Sequence, residues 1–257
     1  MNDPVSIAFT EEGSLMKVII NGIDGAMGQI LARTIESAED MEVVCGVTPT
    51  GAGDCLEPAE YQGPADMVID FSHHLGTKPL MDYCVSRSLP VVVCTTGQTD
   101  DEMAYIREAA KSIPVFKSGN MSVGVAIVAK AVKEIAAKFG GCDIEIVETH
   151  HNRKVDAPSG TAIMLADAVR AARPELHYNT GRSGDCKREP DEIGINAVRM
   201  GNIVGIHEVM FGTGTQTISI KHQAHDRGLF ADGAVDAARF LAGKPAGLYD
   251  MEDLLAD

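Results

Sequence analysis

From Lys17 onward, continuous β-branched runs alternate with segments of helical spacing. KVII precedes a helical pattern from Ala26 to Ala38. EVVCGV and DMVIDF follow, then a helical pattern from about Gly76 to Ser86, PVVVC, another near Asp101 to Ser112, and PVF. Unbroken apolar strands are buried on both faces, so this rhythm predicts a doubly wound parallel sheet covered by helices. A longer helix is predicted over SVGVAIVAKAVKEIAAKF, whose apolar positions 127, 128, 131, 132, 135 and 139 share a face. After it the period changes. DIEIVET, IGINAVR, NIVGIHEVMF and TQTISIKH alternate apolar with polar residues, as strands do when only one sheet face is buried. The expected fold class is therefore α/β, with a second α+β domain built on a mixed or antiparallel sheet. ADGAVDAARFLA, residues 231–242, returns to helical spacing and is expected to pack back on the first domain.

Composition narrows what such a chain can do. Its 257 residues suit one large unit or two domains. Lys+Arg 22 against Asp+Glu 37 gives a net charge of -15, a field that repels a phosphate backbone, so no nucleic-acid partner is expected. Six cysteines at 45, 55, 84, 94, 142 and 186 contain no C-x-x-C pair, which reads as reduced thiols without structural zinc. MNDPVSIAFTEEGSL lacks the basic start and apolar stretch of a signal peptide, and no run is long enough to span a bilayer. The expectation is a cytoplasmic protein with no membrane partner, with residues 1–15 as a tail.

VIINGIDGAMGQILA runs a strand through Gly22, Gly25 and Gly28 into a helix. Such a turn lets backbone approach a pyrophosphate at a helix N-terminus, although G-x-x-G-x-x-G is also compatible with a plain glycine turn. TTG at 95–97 and KSGNMS at 117–122 end later strands, where loops of a parallel sheet line a ligand crevice. GVTPTGAG has Thr48 and Thr50 where an acid would favour NAD, and no Arg for a 2'-phosphate. Both NADH and NADPH are thus expected to serve, with specificity constants within about 100-fold of each other.

ETHHNRKVDAPSGTA, residues 148–162, gathers two histidines, Lys154 and a helix start with Ser159 as N-cap. The imidazole and amine can share proton transfers, and the Gly160 and Thr161 amides would point at an anion, giving a proton donor beside a carboxylate cradle. A solvated or structural histidine pair is the bland alternative. A metal site drawing on His73 and His74 is disfavoured, since adjacent strand residues face opposite ways and no Cys or Asp spacing completes a ligand set; no metal is expected.

With NGIDGAMG, DFS at 70–72, TTG at 95–97, GNMSVGV at 119–125, AVRMGNIVGIHEVMF at 197–211 and GLYDMEDLL at 247–255, this stretch resembles the 4-hydroxy-tetrahydrodipicolinate reductase (dihydrodipicolinate reductase) family of lysine biosynthesis, from about Lys17 to Leu255. The resemblance implies a Rossmann-type dinucleotide-binding domain over 16–121, a substrate-binding and oligomerisation domain over 122–229, and a C-terminal return over 230–257. It implies a homotetramer that uses NADH or NADPH to reduce a cyclic imine dicarboxylate, closing about a hinge. By position, His150 is the proton donor and acceptor and Lys154 the second donor, while His151, Gly160 and Thr161 bind substrate. The dinucleotide falls to Gly22, Ile23, Asp24, Gly25, Ala26 and Met27, to Thr95, Thr96 and Gly97, and to Ser118, Gly119, Asn120 and Met121. Arg199 and His207 stand open between site and structural roles. The departures are GVTPTGAG, without an acid, and KSGNMS, where many relatives carry AANFS. Two rivals are a nucleotide-sensing protein without turnover and a related dehydrogenase acting on a semialdehyde or polyol.

Overall fold

The computed structural model describes residues 14–256, so most of the expected tail lies outside the described residues. The chain runs β1 (Met16–Asn21), α1 (Ala26–Glu36), β2 (Met41–Val47), β3 (Met67–Asp70), α2 (Thr77–Arg87), β4 (Val91–Val93), α3 (Asp100–Ala109) and β5 (Pro114–Lys117). Next come α4 (Val123–Lys138), β6 (Asp143–His150), α5 (Gly160–Ala172), β7 (His177–Asn179), β8 (Glu192–Arg199), β9 (Gly205–Gly212) and β10 (Thr217–Ala224). α6 (Gly228–Leu241), β11 (Gly247–Tyr249) and α7 (Met251–Leu254) complete it. Two compact units result: the described residues up to Met121 with those from Gly228 onward, and Ser122–Arg227.

The first unit holds a six-stranded sheet in the order β11-β5-β4-β3-β1-β2, parallel at every pairing. β2 and β3 flank β1 on opposite sides, so the strand order reverses there and opens a crevice at the carboxyl ends of β1 and β3. Burial explains the unbroken apolar runs: Val18, Ile19, Ile20, Val68, Ile69 and Val92 are wholly inaccessible. α6 packs on α1, β3, β4 and β5. A Cβ at Gly233 would stand 1.7 Å from the Met121 carbonyl oxygen, so only glycine lets α6 lie against that loop.

The second unit carries a mixed sheet in the order β10-β9-β6-β8-β7. β6–β8 and β8–β7 are parallel, whereas β6–β9 and β9–β10 are antiparallel. Val132 of α4 and Leu165 of α5 meet Ile144, Ile146, Ile193 and Phe211 in its core.

Local chemistry shifts several expected boundaries. A reciprocal capping box between Thr99 and Glu102 starts α3 at Asp100, and the helix ends at Ala109 rather than Ser112. Ser37 Oγ donates to the Arg33 carbonyl as α1 ends at Glu36, short of Ala38. A single 3₁₀ turn precedes α2, which starts at Thr77. NIVGIHEVMF becomes strand only at Gly205, after a turn at Gly201–Asn202 with positive φ at Gly201. β7 and β11 escape the sequence reading because three residues are too few to display a period.

Candidate active site

Within the first unit the glycine turn is shaped by backbone crowding. Gly22 has φ +89°, and a Cβ there would lie 2.7 Å from the Phe71 carbonyl oxygen; one at Gly28 would lie 2.0 Å from the Gly22 carbonyl oxygen. Gly25 is the N-cap of α1, with no side-chain cap and no acid in the first turn. The dipole end of α1 is thus left for an anion, and the residues present fit a dinucleotide pyrophosphate. Asn21 and Ser72 both donate to Asp70 Oδ1, at 2.8 and 2.6 Å, closing the ends of β1 and β3. Burial raises the Asp70 carboxyl against the opposing effect of those bonds.

The two later loops are joined by a residue that only the departure from the family pattern had marked. Lys117 Nζ donates to the Thr95 carbonyl at 3.0 Å, tying the 95–97 loop to the start of 118–121. Burial lowers the pKa of that ammonium, while Cys94 and Asp70 act the other way. Gly97 takes φ +86°, Gln98 Nε2 also donates to the Thr95 carbonyl, and Ser118 Oγ donates to the Asn120 carbonyl at 2.7 Å. His73 and His74 are engaged locally: His73 Nδ1 accepts from the Leu75 amide, and His74 pairs with Glu102 at 3.0 Å.

The second unit builds its site on β6. Alternation along the strand points Glu148 and His150 to the same side, and both are buried, Glu148 fully. Glu148 Oε2 meets His150 Nδ1 at 2.5 Å and Arg199 at 2.8 Å; its Oε1 accepts from Arg199 at 2.8 Å and from the Ser159 amide at 3.1 Å. Burial alone would raise the Glu148 carboxyl, but the bonds from Arg199, His150 and Ser159 hold it below its ordinary value. An ionised carboxylate only accepts, so Nδ1 carries the hydrogen and Nε2 is the acceptor nitrogen of the neutral ring. A Cβ at Gly205 would stand 3.2 Å from that Nε2.

Ser159 joins this cluster to α5. Its Oγ accepts from the Ala162 amide at 3.2 Å and shares a hydrogen bond of 3.2 Å with His207 Nε2. Gly160 opens α5 with clear space where a Cβ would be, and the first turn has no acid. The Lys154 ammonium pairs with Asp156 at 2.8 Å, and Arg199 braces the Asp156 carbonyl. His151 lies past the end of β6. Its pKa is lowered by burial and then by Arg153, Arg227, His150 and Lys154, so a neutral imidazole sits among cations. Arg199 and His207, left open by the sequence, thus belong to the cluster around His150.

Burial pushes His207 down from 6.5 to about 4, with His150, His222 and Lys154 adding to the effect and Glu148 opposing it. In this pH window the unfolded chain binds the extra proton. Stability is therefore intact above about pH 6.5 and falls as pH drops toward about 4, by about 1.4 kcal/mol per pH unit at most. His207→Asn should shrink the drop in melting temperature between about pH 7 and about pH 5. An unchanged drop, followed by scanning calorimetry, would assign the acid sensitivity elsewhere.

A glycine turn at the switch point of a parallel sheet, and a separate mixed sheet carrying a buried acid–base pair, define a two-unit oxidoreductase of the nicotinamide-dependent class. Residues 16–121 match the model of "Dihydrodipicolinate reductase, N-terminus", and residues 124–255 that of "Dihydrodipicolinate reductase, C-terminus". The chain belongs to the dihydrodipicolinate reductase family. It is 42% identical over 248 residues to the 4-hydroxy-tetrahydrodipicolinate reductase of Clostridium tetani, covering 94% of this chain and 97% of that protein. With the reductase of Caldanaerobacter subterraneus it shares 44% over 247 residues, covering 94% and 98%. In fold it is similar to the dipicolinate-bound dihydrodipicolinate reductase of Paenisporosarcina sp. TG-14, with TM-score 0.76 and 23% identity over 92% of this chain and 98% of that one.

Proposed function

We propose that this reductase converts 4-hydroxy-tetrahydrodipicolinate to tetrahydrodipicolinate, in the route to diaminopimelate and lysine, with NADH or NADPH as reductant: one hydride and one proton are taken up and the 4-hydroxyl leaves as water. The observation that carries the reading is the Glu148–His150 pair set beside the Ser159–Gly160 helix start. When bound, the nicotinamide supplies a hydride. Gly22, Ile23, Asp24, Gly25, Ala26 and Met27 form the turn that would hold the pyrophosphate. Thr95, Thr96 and Gly97, with Ser118, Gly119, Asn120 and Met121, form the two loops at the ends of β4 and β5 that would flank the rest of the dinucleotide.

His150 delivers a proton through Nε2, because Glu148 occupies Nδ1 and stabilises the imidazolium once formed. Lys154 is the second donor, its ammonium restrained by Asp156 until substrate carboxylate competes for it. His151, Gly160 and Thr161 bind the substrate carboxylates, with the positive end of α5 and the surrounding cations favouring an anion there. A cytoplasmic homotetramer is part of the proposal. Its assembly is supported by exposed Val198, Met200 and Ile218 on and beside β8 and β10. Among the described residues no helix is long and apolar enough to cross a membrane.

A planar pyridine dicarboxylate should compete with substrate at this helix start. Thr161→Val keeps the shape and removes a hydroxyl; losing a hydrogen bond to a charged group costs about 1.5 to 3 kcal/mol, so substrate and inhibitor should both weaken by about ten- to a hundred-fold. Nucleotide affinity should hold. Should Thr161→Val weaken the nucleotide and spare the dicarboxylate, the cradle assignment fails.

A further inference from the structure

We propose that Asp24, from the turn between β1 and α1, reads the adenosine ribose of the dinucleotide and makes this reductase prefer NADH to NADPH. The inference rests on the dinucleotide reading of the glycine turn. In a doubly wound sheet the adenosine ribose lies beyond the carboxyl end of the second strand. A carboxylate there accepts from the 2'-hydroxyl and repels a 2'-phosphate. β2 ends at Val47 and is followed by Thr48, Pro49 and Thr50, which carry no charge. The charge arrives from elsewhere in the fold.

Thr50 Oγ1 donates to Asp24 Oδ2 at 2.7 Å, and Thr48 Oγ1 lies 3.3 Å from Thr50 Oγ1. Gln29 Nε2 donates to the Asp24 carbonyl at 3.0 Å, so backbone and side chain of Asp24 are both held. The hydroxyls of Thr50 and then Thr48 keep the carboxyl below its ordinary value, hence ionised at neutral pH. A carboxylate offers about four acceptor positions, and Thr50 leaves room for a ribose hydroxyl.

The neighbouring acids are committed to the chain itself. Asp54 Oδ2 accepts from the Gly46 amide at 2.7 Å, and Glu60 Oε2 accepts from the Leu56 amide at 2.8 Å. No Lys or Arg occurs between Arg33 and Lys78, so the segment that includes β2 and its loop offers a 2'-phosphate no cation. The acid that the sequence lacks after β2 is thus supplied by the glycine turn, and near-equal use of both nucleotides is no longer the expectation.

Calorimetric titration of the whole protein tests this, with NADH and NADPH and with two adenine-half probes, 5'-AMP and adenosine 2',5'-bisphosphate. The unphosphorylated member of each pair should bind at least about 100-fold tighter, combining a gained hydrogen bond to a charged group with repulsion of the phosphate. Asp24→Asn should narrow the NADH:NADPH ratio to below about tenfold, and Thr50→Val should narrow it partway. A residue that only staples the loop would weaken both nucleotides alike. Equal affinities in wild type, or a ratio unchanged by Asp24→Asn, would overturn the inference while the dinucleotide site stands. Binding of neither nucleotide would overturn both. Should Asp24→Asn not fold, the wild-type contrast between the two adenine probes still decides.

Discussion

His150→Gln should lower kcat by about ten- to ten-thousand-fold, the range for loss of a positioned proton donor, while the protein stays folded. Hydride arriving on an electron-poor ring leaves negative charge that must be quenched by a proton. Glutamine can occupy the imidazole's place and still donate to Glu148, but it cannot release a proton at neutral pH. Lys154→Ala should fall in the same range and should also weaken a dicarboxylate inhibitor, because in the proposed mechanism the ammonium serves both proton transfer and anion binding. His150→Gln should leave that inhibitor's affinity nearly unchanged. Steady-state kinetics beside far-UV circular dichroism would check this. Folded variants that each keep more than half of wild-type turnover would contradict the acid assignment.

Glu148→Ala should have the largest effect on stability, about 3 to 5 kcal/mol, because it strands a guanidinium that the carboxylate neutralises. Arg199 would lose both its bonds to Glu148, and the Ser159 amide would lose its acceptor at the start of α5. Glu148→Gln separates stability from chemistry. Its one amide nitrogen must take the place of one oxygen: at the Oε2 position it faces Arg199 and donates to His150 Nδ1, which moves the imidazole hydrogen off that nitrogen, and at the Oε1 position it faces Arg199 and the Ser159 amide. The folded Glu148→Gln enzyme should lose roughly 100- to 10,000-fold in kcat, as expected when the orienting carboxylate of an acid–base pair is removed. Denaturant midpoints and kcat on the same samples distinguish the roles. A purely structural Glu148 would shift the midpoint and leave the turnover of folded protein intact.

The sequence carried the individual members of this cluster better than their assembly. ETHHNRKVDAPSGTA marks His150, Lys154 and the cap at Ser159 because their order is local. Glu148 was legible by period, two residues before His150 on one strand face, but the motif drew the eye to the histidines. Arg199 and His207 become partners only through register: His150 stands opposite Arg199 across β6–β8, and Glu148 opposite His207 across β6–β9. No local pattern encodes that pairing. Asp24 was legible as part of the glycine turn, but its reach to the loop after β2 was not, since the hydrogen bond from Thr50 joins two loops separated in sequence. The parallel sheet was legible because strands buried on both faces leave unbroken apolar runs. β11 was not, because Gly247–Tyr249 is too short to show its pairing with β5.

The most direct test of the account is to supply freshly formed 4-hydroxy-tetrahydrodipicolinate to the purified protein with NADH or NADPH and follow loss of the reduced nicotinamide absorbance. The account predicts substrate-dependent oxidation of nucleotide, one equivalent per tetrahydrodipicolinate formed, competitively blocked by a planar pyridine dicarboxylate and nearly abolished in His150→Gln. Folded wild-type protein that binds a nucleotide yet oxidises neither NADH nor NADPH in the presence of this substrate would contradict it.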